Sequence, residues 1–303
     1  MTFNHKTIVG ERTASRFYSK LKSNPNSFDL LRLIAATAVL VSHQFQVLGR
    51  PQPKIFGLAE PSFLAVLVFF ALSGRLITQS WERDPQVRYF LLKRCLRIFP
   101  ALLVVVVTLT DFVVGPTFTV LGVREYFFNA MTWKYFRCAI LWPGHSWLPG
   151  VSWTNPYPHA VNSPLWTLPI EFALYLSVLA AGVLGFLRRK YMVSIGVLGL
   201  ALAAVAPFSG SVNLRNVAML ASMFWWGAWL PVGIKSGRPF DKIGLSLGVV
   251  ALMVLATVGP DSVARTGQIL FAGGLVWLAS QVQFGDRITR RLGDLSYGVY
   301  IIA

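Results

Sequence analysis

Apolar runs of about 20 residues recur along the chain, and that is the length an α-helix needs to cross the roughly 30 Å hydrocarbon core of a bilayer. Eight can be read, near 28 to 48, 60 to 80, 98 to 115, 164 to 186, 191 to 208, 217 to 234, 243 to 260 and 267 to 284, and a ninth begins near Leu292. No credible strand interrupts them. The chain is 54% hydrophobic and 13% charged, with a mean hydropathy of +0.57, so its 303 residues lack the polar surface a water-soluble domain would need. The expected fold is therefore all-α, a polytopic transmembrane helical bundle with the lipid bilayer as its first partner.

A formal net charge of +16 would ordinarily suggest nucleic acid. The positions of the charges exclude that reading. Apart from Arg32 and Arg75, the Lys and Arg residues lie between apolar runs, 19 of them in alternate gaps and 7 in the others. This is the positive-inside pattern, so the N-terminus and the gaps holding Arg94, Arg97, Arg188, Arg189 and Lys190 are expected to face the cytoplasm. Residues 1–27 read as a basic cytoplasmic tail, and residues 28–303 as the membrane domain. No cleavable signal peptide is evident, because the first apolar run follows a long polar tail and no small-residue cleavage site follows it. Cys95 and Cys138 are expected on opposite sides of the membrane, where they cannot pair.

One long connection is expected on the outer side, from about Gly115 to Ser163. It carries Trp133, Trp142, Trp147, Trp153 and Tyr157. Loops of that length often cover a site, although an aromatic belt at the membrane interface explains the same residues. Ser163 is expected to cap the next helix, with Pro164 at its first position.

An ionisable residue inside a span is expensive unless it faces a polar interior, which narrows the search for chemistry to Arg32, His43, Arg75, Asp111 and Glu171, with Asp29 at the edge. Arg32 and His43 are eleven residues apart on one helix, about 16 Å of rise and roughly three turns, so they share a face. Arg32 can pair with Asp29 or receive an anionic head, and a neutral imidazole is the usual general base near pH 7. Arg94 and Arg97 stand at i and i+3 and can either anchor the inner surface or clamp phosphates. Glu171, two turns into a span behind Pro169, can orient His43 or pair with an intramembrane arginine such as Arg75. Ser73 and Gly74 suit helix packing, and Arg75 is expected to snorkel towards the cytoplasm near Trp81. The four histidines and two cysteines show no ligand spacing, so no metal is expected, and no nucleotide-binding loop is present.

Five stretches together resemble the membrane acyltransferase 3 family of mainly bacterial O-acyltransferases. They are Phe28-Asp29-Leu30-Leu31-Arg32 through His43; Phe69-Phe70-Ala71-Leu72-Ser73-Gly74; Arg94, Arg97, Ile98 and Pro100; Leu165-Trp166-Thr167-Leu168 with Glu171; and Leu295-Ser296-Tyr297-Gly298-Val299-Tyr300. The sequence departs from the family pattern at Arg75, where an apolar or aromatic residue is usual, at Thr167 in place of a serine, and at Ala303, where many members carry a histidine. The resemblance implies about ten spans in the full-length protein, of which this chain would hold eight and the start of a ninth. It also implies an acyl-CoA donor, with acetyl-CoA foremost, a hydroxylated acceptor that is often a surface glycan, and residence in the bacterial inner membrane. On this reading His43 is the base, Glu171 supports the site, and Arg32, Arg94 and Arg97 engage the CoA phosphates. Acylation of a small metabolite such as a macrolide is the alternative within the enzyme class. A proton-coupled transporter or flippase using Arg32, His43 and Glu171 is the alternative outside it.

Overall fold

Hydropathy locates apolar runs but not helix ends, and the computed structural model shows how the runs resolve. It describes residues 27–57, 59–142, 147–158, 161–187, 191, 194–195, 212–230, 262–281 and 295–301. The helices are α1 (Phe28–Val47), α2 (Pro61–Arg83), α3 (Val87–Leu103), α4 (Val123–Phe128), α5 (Ala130–Tyr135), α6 (Leu168–Val183), α7 (Val212–Trp229), α8 (Ser262–Gln281) and α9 (Ser296–Ile301). Among the described residues there are no β-strands beyond two isolated antiparallel bridges, Ile55 with Ala59 and Thr119 with Val151.

Four helical segments are long and apolar enough to cross a membrane: Phe28–Val47, Pro61–Arg83, Val87–Phe118 and Ser163–Val183. Their outward faces carry exposed apolar side chains such as Ile34, Val41, Leu103, Phe112 and Val183, as a lipid-facing surface requires. Helices α7 and α8 overlap two further expected spans, the apolar part of α8 covering Gly267–Ala279. The expected spans near 243 to 260 and, apart from Tyr191, Ser194 and Ile195, near 191 to 208 lie outside the described residues, as do the basic tail before Ser27 and the start of the ninth run at Leu292.

The third span differs most from expectation. It begins at Val87 rather than near residue 98, because Arg94 and Arg97 lie on the helix and do not interrupt it. Only Asp84 to Gln86 separate it from α2. Lys93 Nζ lies 3.1 Å from Asp84 Oδ2 across that turn, and the Trp81 and Phe90 rings meet edge to face at 5.5 Å. Pro100 lies within α3 and removes one backbone donor. From Val104 to Val114 the helix widens to π geometry, and α-helix resumes over Gly115–Phe118. Thr110 Oγ1 donates to the Val105 carbonyl at 2.7 Å, the five-residue reach of a π-turn. The unbroken length, roughly 48 Å, exceeds the hydrocarbon core, so its arginine-bearing first turns lie at one end of the bundle. Arg265, expected in an outer gap, is instead buried in the first turns of α8.

The start of the fourth span also departs from expectation. Asn162, not Ser163, occupies the N-cap position of a short 3-10 helix, Ser163–Thr167, that runs into α6, and no side chain caps it. The Asn162 amide is engaged elsewhere, donating to the Ile301 carbonyl at 2.8 Å and so tying α9 to this segment.

The centre of the bundle is α2, which α1, α6, α7 and α8 all contact. Small residues let α7 approach it backbone to backbone. A Cβ on Gly74 would collide with the Phe224 carbonyl oxygen, and one on Gly227 with the Ala71 carbonyl oxygen. Close approach through small residues is the usual packing device between helices in lipid, where apolar burial drives little. Gly227→Val is expected to destabilise the protein by about 1–3 kcal/mol, the ordinary cost of overpacking. Gly274→Val on α8, where a Cβ meets nothing within 4 Å, is the control. Thermal unfolding in detergent followed by tryptophan fluorescence should show a clear fall in Tm for the first variant and little change from the overpacking mechanism for the second.

Candidate active site

The five stretches singled out in the sequence converge at the inner faces of α1, α2, α3, α6 and α9. Tyr297 on α9 donates its hydroxyl to the Ile98 carbonyl of α3 at 3.1 Å. One turn on, the Tyr300 hydroxyl and Thr167 Oγ1 share a hydrogen bond of 2.6 Å, and the Tyr300 ring packs edge-on against Phe69 of α2 at 5.2 Å. Ser73 of α2 donates to Glu171 Oε1 of α6 at 3.2 Å. Each hydrogen bond joins groups that would otherwise be left polar in an apolar interior.

Around Glu171 the arrangement is electropositive. Its carboxylate also accepts from the Tyr175 hydroxyl one turn along α6. Arg94 is buried, donates from Nη2 to Ser80 Oγ at 3.1 Å, and rests against the Phe90 and Tyr175 rings, 5.5 and 5.9 Å from their centres. Arg97, half-buried, faces a small cavity of about 30 Å³ together with Ser73, Thr167, Glu171, Tyr297 and Tyr300. Arg32 is buried at the start of α1, 3.9 Å from the half-exposed carboxylate of Asp29. Arg94 interacts electrostatically with Arg32, Arg97 and Glu171. Among the described residues, three guanidinium groups thus share one neighbourhood with the carboxylate of Glu171, an excess of positive charge that favours an anion.

His43 opens onto a different and larger cavity, about 490 Å³. Its wall combines the polar groups of His43, Gln46, Glu60, Ser62 and Asn162 with the rings of Trp147, Tyr157 and Trp166. Trp147 and Tyr157 come from the long connection between α3 and α6, so that loop forms part of the wall. Next to His43, the Ser42 hydroxyl donates to Gln52 and accepts from the Ser62 N–H at 3.3 Å, which fixes the α1–α2 junction at the cavity rim. The two cavities have Tyr300 in common.

The expected site residues therefore fall into two groups. Arg32, Arg94, Arg97 and Glu171 are brought together, while His43 lines the neighbouring cavity and Glu171 does not. Glu60 brings a carboxylate to the His43 cavity; as the first residue of an expected span it reads as an ordinary helix start, and it stands at the N-cap of α2. The sign that would have found it is the pair Glu60-Pro61, a helix start placed opposite the histidine turn of α1. Tyr300 was part of a recognised stretch, but its place between the cavities depends on packing 133 residues away, at Thr167. Asp111 and Arg75 line neither cavity.

Neither cysteine lines these cavities. Burial, with the nearby Asp111 carboxylate adding to it, pushes the Cys138 thiol up to about 11, so it stays protonated near neutral pH and is a poor nucleophile. Among the described residues no cluster of His, Cys, Asp or Glu is placed to hold a metal ion.

Comparison with known proteins gives the same chemical class. An O-acetyl transferase of Shigella phage Sf6 is 30% identical over 286 residues, covering 92% of this chain and 83% of the phage protein. Nodulation protein 10 of Rhizobium leguminosarum bv. viciae is 36% identical over 166 residues, covering 50% of this chain and 43% of the relative. Peptidoglycan O-acetyltransferase OatA of Listeria monocytogenes serovar 1/2a is 23% identical over 328 residues, covering 91% of this chain and 48% of that protein. No solved structure matches the chain. The family model described as an acyltransferase domain matches residues 26–303, from the first turn of α1 through α9. A helical membrane protein with this match and these relatives is an acyltransferase, and the chain belongs to the acyltransferase 3 family.

Proposed function

We propose that the protein transfers an acyl group, acetyl foremost, from acyl-CoA to a hydroxyl of a cell-surface or exported glycan. The observation that carries this reading is the pair of cavities meeting at Tyr300, one electropositive around Arg97 and the other holding a half-buried histidine among aromatic and polar side chains. A CoA thioester has this division built into it, with phosphates at one end and a small, neutral reactive group at the other.

In the proposed reaction the donor's phosphates meet the arginine group. Arg97 makes direct contact, and Arg94 and Arg32 supply positive field from their more buried positions. The acyl end passes Tyr300 towards His43. There the neutral imidazole takes the proton of the acceptor hydroxyl as its oxygen attacks the thioester carbonyl. Collapse of the tetrahedral intermediate breaks the carbon–sulfur bond, and the CoA thiolate leaves and is protonated. The products are the acyl ester and free CoA. Glu60 faces the cavity in which imidazolium forms and stabilises that charge, while Glu171 keeps the arginine group from repelling itself. With the N-terminus cytoplasmic in the bacterial inner membrane, as the charge pattern of the sequence supports, the arginine end faces the acyl-CoA pool and the His43 cavity faces outwards.

Release of free CoA separates this reading from transport, which would leave the thioester intact. In lipid nanodiscs containing the full-length protein, acetyl-CoA and an extract of the host's glycans, His43→Ala is expected to lower extract-dependent CoA release by at least about a hundredfold, the scale of general base catalysis. Equal release by the variant would remove His43 from the mechanism. Arg97→Ala is expected to raise KM for acetyl-CoA by about tenfold or more with a smaller change in kcat, because a charged hydrogen bond to phosphate contributes about 1.5–3 kcal/mol. An unchanged KM would move the donor's phosphates away from this cavity.

A further inference from the structure

Beside the His43 cavity lies a further pocket, about 190 Å³, walled by Val114 and Phe118 at the end of the third span, by Val120 and by the segment from Gly150 to Asn155. Val161 lines both, so the two are neighbours across one side chain. This smaller pocket is a built feature. Thr119 and Val151 form an antiparallel bridge beneath it, Thr119 Oγ1 donates to the Pro149 carbonyl at 2.9 Å, and the Val120 N–H donates to the Gly150 carbonyl at 3.0 Å. Gly150 is left-handed at φ 75°, where a side chain would strike Thr119 Oγ1. Ser152 is also left-handed, at φ 57°, and its carbonyl accepts from the Asn155 N–H at 3.3 Å, closing the turn that carries Trp153 and Thr154 along the pocket wall.

The chemistry of the wall narrows its occupant. None of the lining residues is charged, which disfavours a phosphate or a carboxylate. Residues with short hydroxyl and amide side chains, Ser152, Thr154 and Asn155, line it together with the aromatic residues Trp153 and Phe118. An uncharged sugar ring presents the matching pattern, with hydroxyls around its edge and C–H groups on its faces. The pocket has less than half the volume of its neighbour, so it suits one ring rather than a chain.

We infer that this pocket is an acceptor subsite that holds an uncharged sugar unit adjoining the one acylated at His43, so the acceptor is an oligosaccharide or polymer rather than a single sugar or a small metabolite. The inference rests on the glycan reading above and deepens it. A longer acceptor gains contacts at Trp153 that a monosaccharide cannot reach, and those contacts act on binding rather than on the chemical step.

The test uses the full-length protein in nanodiscs with acetyl-CoA and, as acceptors, size-fractionated mono-, di- and trisaccharides from partial hydrolysis of the host's surface polysaccharide. The di- and trisaccharides are expected to show kcat/KM about tenfold or more above the monosaccharide. Trp153→Ala is expected to remove most of that advantage through KM while leaving the monosaccharide rate within about twofold, and Trp153→Phe, which keeps a flat face, to retain it. The unchanged monosaccharide rate shows that the variant is folded. If wild-type rates are independent of acceptor length, or if Trp153→Ala lowers every rate equally, the subsite is overturned and the acyltransferase reading stands. If no fraction supports CoA release, the glycan reading itself fails and the subsite with it.

Discussion

The cost of holding charge inside a bilayer governs this structure. A lone guanidinium or carboxylate in the hydrocarbon core is unfavourable by several kcal/mol, and the cost falls only where other polar groups replace water. Glu171 meets that condition through Ser73 and Tyr175, and Arg94 through Ser80 and two aromatic rings. These partners come from α2, α3 and α6. These contacts bind the three helices to one mutual arrangement at the bundle's interior. Tyr297 and Tyr300 extend the same network to α9, so the last described helix is held by hydrogen bonds to α3 and to the segment from Asn162 to Thr167 rather than by apolar contact alone. The charged groups specify how these helices pack, and they create the electropositive cavity as a result.

Much of this was legible because it is local. The eleven-residue spacing of Arg32 and His43 places them on one helix, and α1 carries both. The i, i+3 spacing of Arg94 and Arg97 places them on neighbouring stripes of α3, as found. Their different environments were not legible. Three residues turn a helix by about 300°, which leaves the two side chains some 60° apart. That angle is enough to bury one arginine between rings and to turn the other towards a cavity. Spacing reports adjacency, whereas burial depends on what the neighbouring helices bring.

Helix ends were hidden for a related reason. Hydropathy counts Arg88, Lys93, Arg94 and Arg97 as a break between spans, yet a charged residue does not stop a helix whose backbone bonds are intact, and α3 continues through them from Val87. Glu60 escaped notice because it lies at such an end, where a carboxylate looks ordinary. The role of Tyr300 depends on contacts with residues more than a hundred positions away, and no local pattern encodes those. Hydrogen-bond partners contributed by distant helices are the part of a membrane site that a single sequence conceals.

The contact between α2 and α7 has a mechanical consequence. Where Gly74 and Gly227 let two backbones touch, no layer of side chains remains between them to repack. A joint of that kind has no soft component, so the two helices must translate and tilt as one beam. Tyr300 lies on the other side of α2, held by Phe69 and Thr167 through a ring edge and a single hydrogen bond. In the reaction proposed above, rotation of that tyrosine against a fixed α2–α7 pair opens the way between the two cavities. Compliance between the two cavities then lies in a side chain rather than in the α2–α7 joint.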